Sequence, residues 1–212
     1  MGLEREWWLR LLATLTRPRA VFLALRVDDD DDVGARQEPI LLITLLAGIM
    51  AVLLTPAWRR LYDEAVERGS SIDGLDVALL TFVTGSIYGI VGYFVLGGLL
   101  YLGTRAMGSL GNWRTARQVL AFACVPLALA MPFALVIGLA AFGSDIFRRG
   151  GSDSGAAGDV YLAFELIFVA WSLGLLLFGV RTTYGWPWRR AAGALALVVA
   201  LVTLVWVFAP IR

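Results

Sequence analysis

The sequence predicts an all-α polytopic membrane protein, with five transmembrane helices preceded by cytoplasmic amphipathic helices. Three observations carry that expectation. Apolar runs at about 40–57, 75–103, 116–142, 160–180 and 190–210 are each near the length needed to cross the roughly 30 Å hydrocarbon core of a bilayer. Short arginine-bearing loops separate them. Composition agrees: 59% apolar residues, a mean hydropathy of +0.76 and 17% charged residues leave too few polar groups for a hydrated surface. The domain reading is a cytoplasmic amphipathic region with an acidic linker over 1–38, and a five-helix transmembrane domain over 39–212.

In chain order, Leu3, Trp7, Leu11 and Leu15 recur at spacing four, flanked by Trp8 and Leu12, with Arg5 and Arg10 on other faces. This pattern is a helix that either lies on the membrane surface or packs under the bundle, and the pattern alone leaves both open. Thr16 and Pro18 punctuate the chain, and Pro18 is placed to begin a second short helix through Ala20 to Leu25. Asp28 to Asp32 supplies hard oxygen ligands for a divalent cation, but consecutive acids seldom converge on one ion, so the run reads as a solvated linker. The first 39 residues mix arginines with acids and lack the pattern of a cleaved signal peptide, so the N-terminus is expected to be retained.

Within the spans, the second run is best read as one tilted or overlong helix that continues through Gly97 and Gly98. Gly85 and Gly89 form a GxxxG pair continued by Gly92, and Ala192, Ala196 and Ala200 repeat at spacing four in the fifth span. Small residues let helix backbones approach in lipid, so both stripes are expected to be packing faces, inside the chain in preference to a homo-oligomer contact. Pro126 and Pro132 should bend or loosen the third span. Cys124 sits in an apolar run and reads as a small packed hydrophobe. Asp76 reads as interfacial, whereas Glu165 lies well inside the fourth span. An ionisable group at that depth is costly unless paired, protonated or wet, which makes Glu165 the candidate intramembrane polar site; contact with headgroups or a neighbouring hydroxyl is the structural alternative.

Orientation follows from the arginines. Arg5, Arg10, Arg17, Arg19, Arg26, Arg36, Arg105, Arg114, Arg117, Arg181, Arg189 and Arg190 fall on one side of five crossings, and Arg59, Arg60, Arg68, Arg148, Arg149 and Arg212 on the other. The first side is therefore expected to be cytoplasmic, with the C-terminus external. Trp58, Trp113, Trp186, Trp188 and Trp206 fall in loops or near span ends, where an amphipathic ring favours the headgroup region; Trp171 lies mid-span.

Function classes narrow by subtraction. The chain has neither histidine nor lysine, which removes Ser-His and Cys-His nucleophiles, HExxH zinc sites, Ser-Lys dyads and Schiff bases. No GxGD motif supports an intramembrane aspartyl protease, no second acidic cluster faces Asp28 to Asp32, and the loop Gly150 to Gly158 does not resemble a phosphate loop. No enzyme, cofactor or metal site is expected, and a net charge of +1 with dispersed arginines speaks against nucleic acid.

Three segments carry a family resemblance. LLATLTRPRAVFLAL contains Pro18 and Phe22 in the usual pre-membrane arrangement; GSLGNWRTARQVLAFACVP is similar to a Gly-rich loop, basic turn and helix ending at Pro126; WSLGLLLFGVRTTYGWPWRRAA is similar to a fourth span running into a cytoplasmic loop and a fifth span. Together they resemble the Yip family of Rab-GTPase-interacting five-span membrane proteins, in its bacterial branch. The resemblance implies an all-helical bundle with a cytosolic N-terminus, and noncatalytic work through protein partners. The DLYGP-type signature of eukaryotic members is absent, so the Rab partner does not carry over. The expected activity is that of a membrane adaptor or organiser. Its contact residues to a protein partner or the lipid bilayer are Trp7, Trp8, Leu11, Leu15, Arg17, Pro18, Phe22, Arg114, Arg117, Arg189 and Arg190. The alternative is a small permease or lipid carrier using Glu165 and the kinked third span.

Overall fold

The computed structural model describes residues 3–27, 38–54, 74–143 and 155–208. They form α1 (Leu3–Thr16), α2 (Pro18–Val27), α3 (Glu38–Leu53), α4 (Gly74–Ala106), α5 (Trp113–Ala123), α6 (Val125–Phe142), α7 (Ala156–Tyr184) and α8 (Trp188–Phe208), with no strand among the described residues. The all-helical class is as expected. Three stretches are long and apolar enough to cross a membrane, Leu79–Ala106, Trp113–Phe142 and Ala156–Tyr184, while Ile40–Leu53 is a shorter apolar helix. The expected first span reached residue 57, and its last part lies outside the described residues, as does the acidic run Asp28 to Asp32.

α4 is a single helix of 33 residues, about 50 Å long at ~1.5 Å per residue. Gly97 and Gly98 do not break it, because each fills a packing role: the Arg117 side chain lies where a Cβ on Gly97 would be, and the Trp113 ring lies over Gly98. Leu79, Phe82, Val83 and Ile87 on this helix are each more than half exposed. Such a continuous apolar surface is costly in water and suits hydrocarbon. The third apolar run is interrupted at Cys124. Pro126 has no N–H and its ring excludes the carbonyl four residues back, so α5 stops and α6 restarts one residue later. The Cys124 N–H shares the Leu120 and Ala121 carbonyls, both at 3.1 Å. Pro132, by contrast, lies inside α6 on its exposed side, and that helix continues through it.

The described residues gather into two compact units. Unit 1 draws on Met1–Ile40, Gly92–Val125 and Leu173–Arg212; unit 2 draws on Leu41–Val91 and Pro126–Ser172. The core of unit 1 contains Val21, Phe22 and Leu25 of α2, Leu100 of α4, Val119, Leu120 and Phe122 of α5, Val180 of α7, and Ala191 and Ala194 of α8. α2 packs against α5, and α1 contacts both. Pro18 starts α2, after Arg17 has bonded back to the Ala13 carbonyl at 2.6 Å. The buried set Val21, Phe22, Leu25 follows the spacing of one helical face. α2 thus packs its apolar face into the core of unit 1.

In unit 2, α3 and α4 meet through glycine. A Cβ on Gly48 would collide with the Gly89 backbone, one on Gly89 with the Thr44 carbonyl, and one on Gly85 with the Ile49 Cα. The GxxxG pair therefore packs within the chain, whereas Gly92 has open space beside it. A second cluster joins Met50, Ala130 and Ala134, with Tyr161 and Phe168 of α7 packed against it. Tyr161 Oη donates to the Ala134 carbonyl at 2.8 Å.

Candidate functional site

Unit 1 holds a cluster of arginines on aromatic rings, Arg105, Arg117, Arg181 and Arg190. Its frame is set by helix ends. α4 is followed by Gly108 (φ +82°) and α7 by Gly185 (φ +66°), left-handed positions that favour glycine. The reversed chain then bonds back, Ser109 N–H to the Thr104 carbonyl at 3.0 Å and Trp186 N–H to the Arg181 carbonyl at 2.9 Å. These two turns bring the loop after α4 and the loop after α7 together. Arg190 locks them: its Nε donates to the Met107 carbonyl at 2.7 Å, its Nη2 donates to the same oxygen, and its guanidinium lies 4.6 Å from the Trp186 ring centre. The Tyr184 ring fills the space beside Gly111 and packs on Trp186, with ring centres 5.1 Å apart.

α2 is seated on this frame by Phe22, whose ring is fully buried. A Cβ on Gly179 would lie 2.7 Å from the Phe22 Cε1 atom, so α7 accepts the ring only because it has glycine there. Thr183 Oγ1 donates to the Phe22 carbonyl at 3.1 Å. Phe178 meets the Phe22 ring edge-on at 6.3 Å. The Arg26 guanidinium consequently sits beside Gly185.

Three further arginines are held by ring faces. Arg117 lies over Tyr93, Phe94 and Trp113 at 5.3, 5.1 and 5.8 Å; Arg181 lies 4.5 Å from the Trp188 centre; Arg105 stacks on Tyr101 and donates to its hydroxyl at 2.7 Å. A cation over a ring gains about 0.5–2 kcal/mol, more as water is removed. The Nε atoms of Arg117 and Arg181 are buried and have no hydrogen-bond partner.

Of the residues singled out from sequence, Phe22, Arg117 and Arg190 come into this framework. Leu11 packs against the core of unit 1, Leu15 is half-buried and Arg17 is exposed at the α1–α2 junction; the Trp7 and Trp8 side chains lie outside those described. Arg114 is half-buried and engaged within the fold, and Arg189 is exposed. Ala192, Ala196 and Ala200 lie on the exposed side of α8. The close approach is made by the neighbouring face instead, where the Ala194 carbonyl lies 2.8 Å from where a Cβ on Gly103 would be. Glu165 belongs to unit 2, where it is buried at 5% exposure and engaged within the fold; Ser172, seven residues on, is buried with no partner for its hydroxyl. Sequence reasoning did not single out Tyr93, Phe94, Arg181 or Tyr184, since each gains its role from a contact between helices. No group of three potential metal ligands exists among the described residues.

Residues 12–209 match the family model of the Yip1 domain, nearly the whole chain. The chain belongs to the Yip1 domain family. No curated protein and no solved structure matches it. The Yip1 domain accounts for the apolar helices as those of an integral membrane protein, and the family is not known as enzymatic.

Proposed function

We propose that this Yip1 domain protein is a noncatalytic membrane adaptor or organiser of the cell membrane. It crosses the bilayer five times, with its N-terminus cytoplasmic, and works through the end of unit 1 that carries α1, α2 and the two basic loops. One observation carries the reading: α2 is fixed to α7 through Phe22 and Thr183, beside loops that Arg190 ties together. This arrangement presents Arg17, Arg26 and Arg189 as exposed charges on a rigid base. Rigid presentation lowers the ordering cost of binding, and exposed guanidinium groups suit acidic protein segments or anionic headgroups at a membrane surface.

The test compares the wild-type chain with one carrying Arg17→Gln, Arg26→Gln and Arg189→Gln, which keeps α2 seated, both reconstituted in vesicles. An adaptor loses a defined crosslinked complex in the variant, while solute flux is nil in both. A second reading, a small permease or lipid carrier, draws support from the burial of Glu165 within an apolar helix. Flux that is present in the full chain and abolished by Glu165→Gln would establish the carrier in place of the adaptor.

A further inference from the structure

We infer that Arg117, with its wall of Tyr93, Phe94 and Trp113, seats the phosphate of an anionic phospholipid. The inference needs the chain to be membrane-embedded but needs no protein partner. Arg117 lies against Gly97 and one turn after Trp113, whose ring favours the headgroup region. It is also inside the apolar stretch Trp113–Phe142. Arg117 is half-buried there, and a guanidinium partly stripped of water at that boundary requires compensation.

The protein supplies only part of it. The three rings cover the flat faces of the cation, at 5.1–5.8 Å from its carbon, yet rings do not accept the in-plane N–H groups. No carboxylate or carbonyl oxygen among the described residues does so either: Nε is buried and unpartnered, and ring contacts are the interactions Arg117 makes. Two of the walls open outward, Phe94 at 45% and Trp113 at 42% exposure. Nε is sealed off, so the medium the rings face can supply an acceptor only to the two Nη groups. A lipid phosphate is the anion that medium contains, and its two free oxygens match the guanidinium fork. Arg114, one turn earlier on α5, and the positive end of that helix add to the local field. An anionic headgroup is preferred to a zwitterionic one, whose own ammonium already offsets the phosphate.

The experiment uses the purified full chain in neutral detergent, offered phosphatidylglycerol or phosphatidylcholine with the same acyl chains, with retained lipid counted by native mass spectrometry. The wild type keeps phosphatidylglycerol in preference. Arg117→Gln lowers that retention by about tenfold or more, the weight of a charge-assisted hydrogen bond, while Arg117→Lys recovers only part of it because it lacks the planar fork. Arg19→Gln, the same loss of charge on α2, leaves retention unchanged. Trp113→Leu, which keeps the charge and removes a wall, also weakens retention, and it serves where Arg117→Gln fails to elute as a single species. Inorganic phosphate does not displace the lipid. Equal retention of the two lipids, wild-type retention by both Arg117 variants, or displacement by free phosphate would each overturn the assignment. Retention is counted on the purified chain alone, whereas the adaptor reading is tested by a crosslinked protein complex, so failure here and failure of the adaptor reading are separate results.

Discussion

Phe22 shows how a single side chain fixes the relation of two helices in unit 1. Its ring is buried against Gly179, its carbonyl accepts from Thr183, and the deletion of such a ring typically costs ~3–5 kcal/mol. Phe22→Ala should lower the melting temperature in detergent and expose α1 and α2 to protease, while the helical content of the bundle is kept. Wild-type protease resistance in that variant would mean that α2 is held by something else. Arg190 is the second residue of this kind. Arg190→Gln removes two donors from the Met107 carbonyl and a stack on Trp186, a loss of about 1–3 kcal/mol. Hydrogen exchange should accelerate over 107–112 and stay unchanged in unit 2. Phe22 was legible only through the resemblance of its Pro-then-Phe segment to the Yip family. The Arg190 lock was not, since the arginine and its carbonyl acceptor lie 83 residues apart and only the two glycine turns bring them together.

At the scale of elements, glycine decides which helices touch. Gly89 sits where a Cβ would strike the Thr44 carbonyl, and Gly92, one turn further on the same helix, has nothing within 4 Å. Gly89→Leu should therefore separate α3 from α4 and cost about 1–3 kcal/mol or more, whereas Gly92→Leu should change stability little. The comparison is read as melting temperatures of the two variants in one detergent, and equal losses would deny the contact its role. The GxxxG pair could be picked out beforehand because in lipid small residues are where backbones meet. The alanine stripe of α8 illustrates the limit of the same rule. Spacing four identifies a face of Ala192, Ala196 and Ala200, but the adjoining face, with Ala191 and Ala194, is equally small and is the one buried. Two small faces on one helix cannot be ranked until the partner's shape is known. Pro126 breaks the third apolar run where its missing N–H requires, and Pro132 on the exposed side of α6 does not.

For the whole molecule, the all-helical class and the embedding in lipid were readable from hydropathy and length, because the solvent acts on every residue at once. The aromatic walls around Arg117 and Arg181 were not readable, since they join residues from different helices and no periodicity records such a meeting. The arginine asymmetry predicts a cytoplasmic position for the basic end of unit 1, and the proposed adaptor reading depends on that prediction. Leu110, fully exposed in the loop between α4 and α5, and Gly155, exposed just before α7, flank the stretch Trp113–Phe142. Each can be replaced by cysteine in a Cys124→Ala background and treated, in intact cells and after permeabilisation, with a thiol reagent that does not cross membranes. The account predicts that Gly155→Cys reacts in intact cells and that Leu110→Cys reacts only after permeabilisation. Reaction of both positions in intact cells, or of Leu110→Cys alone, would contradict it.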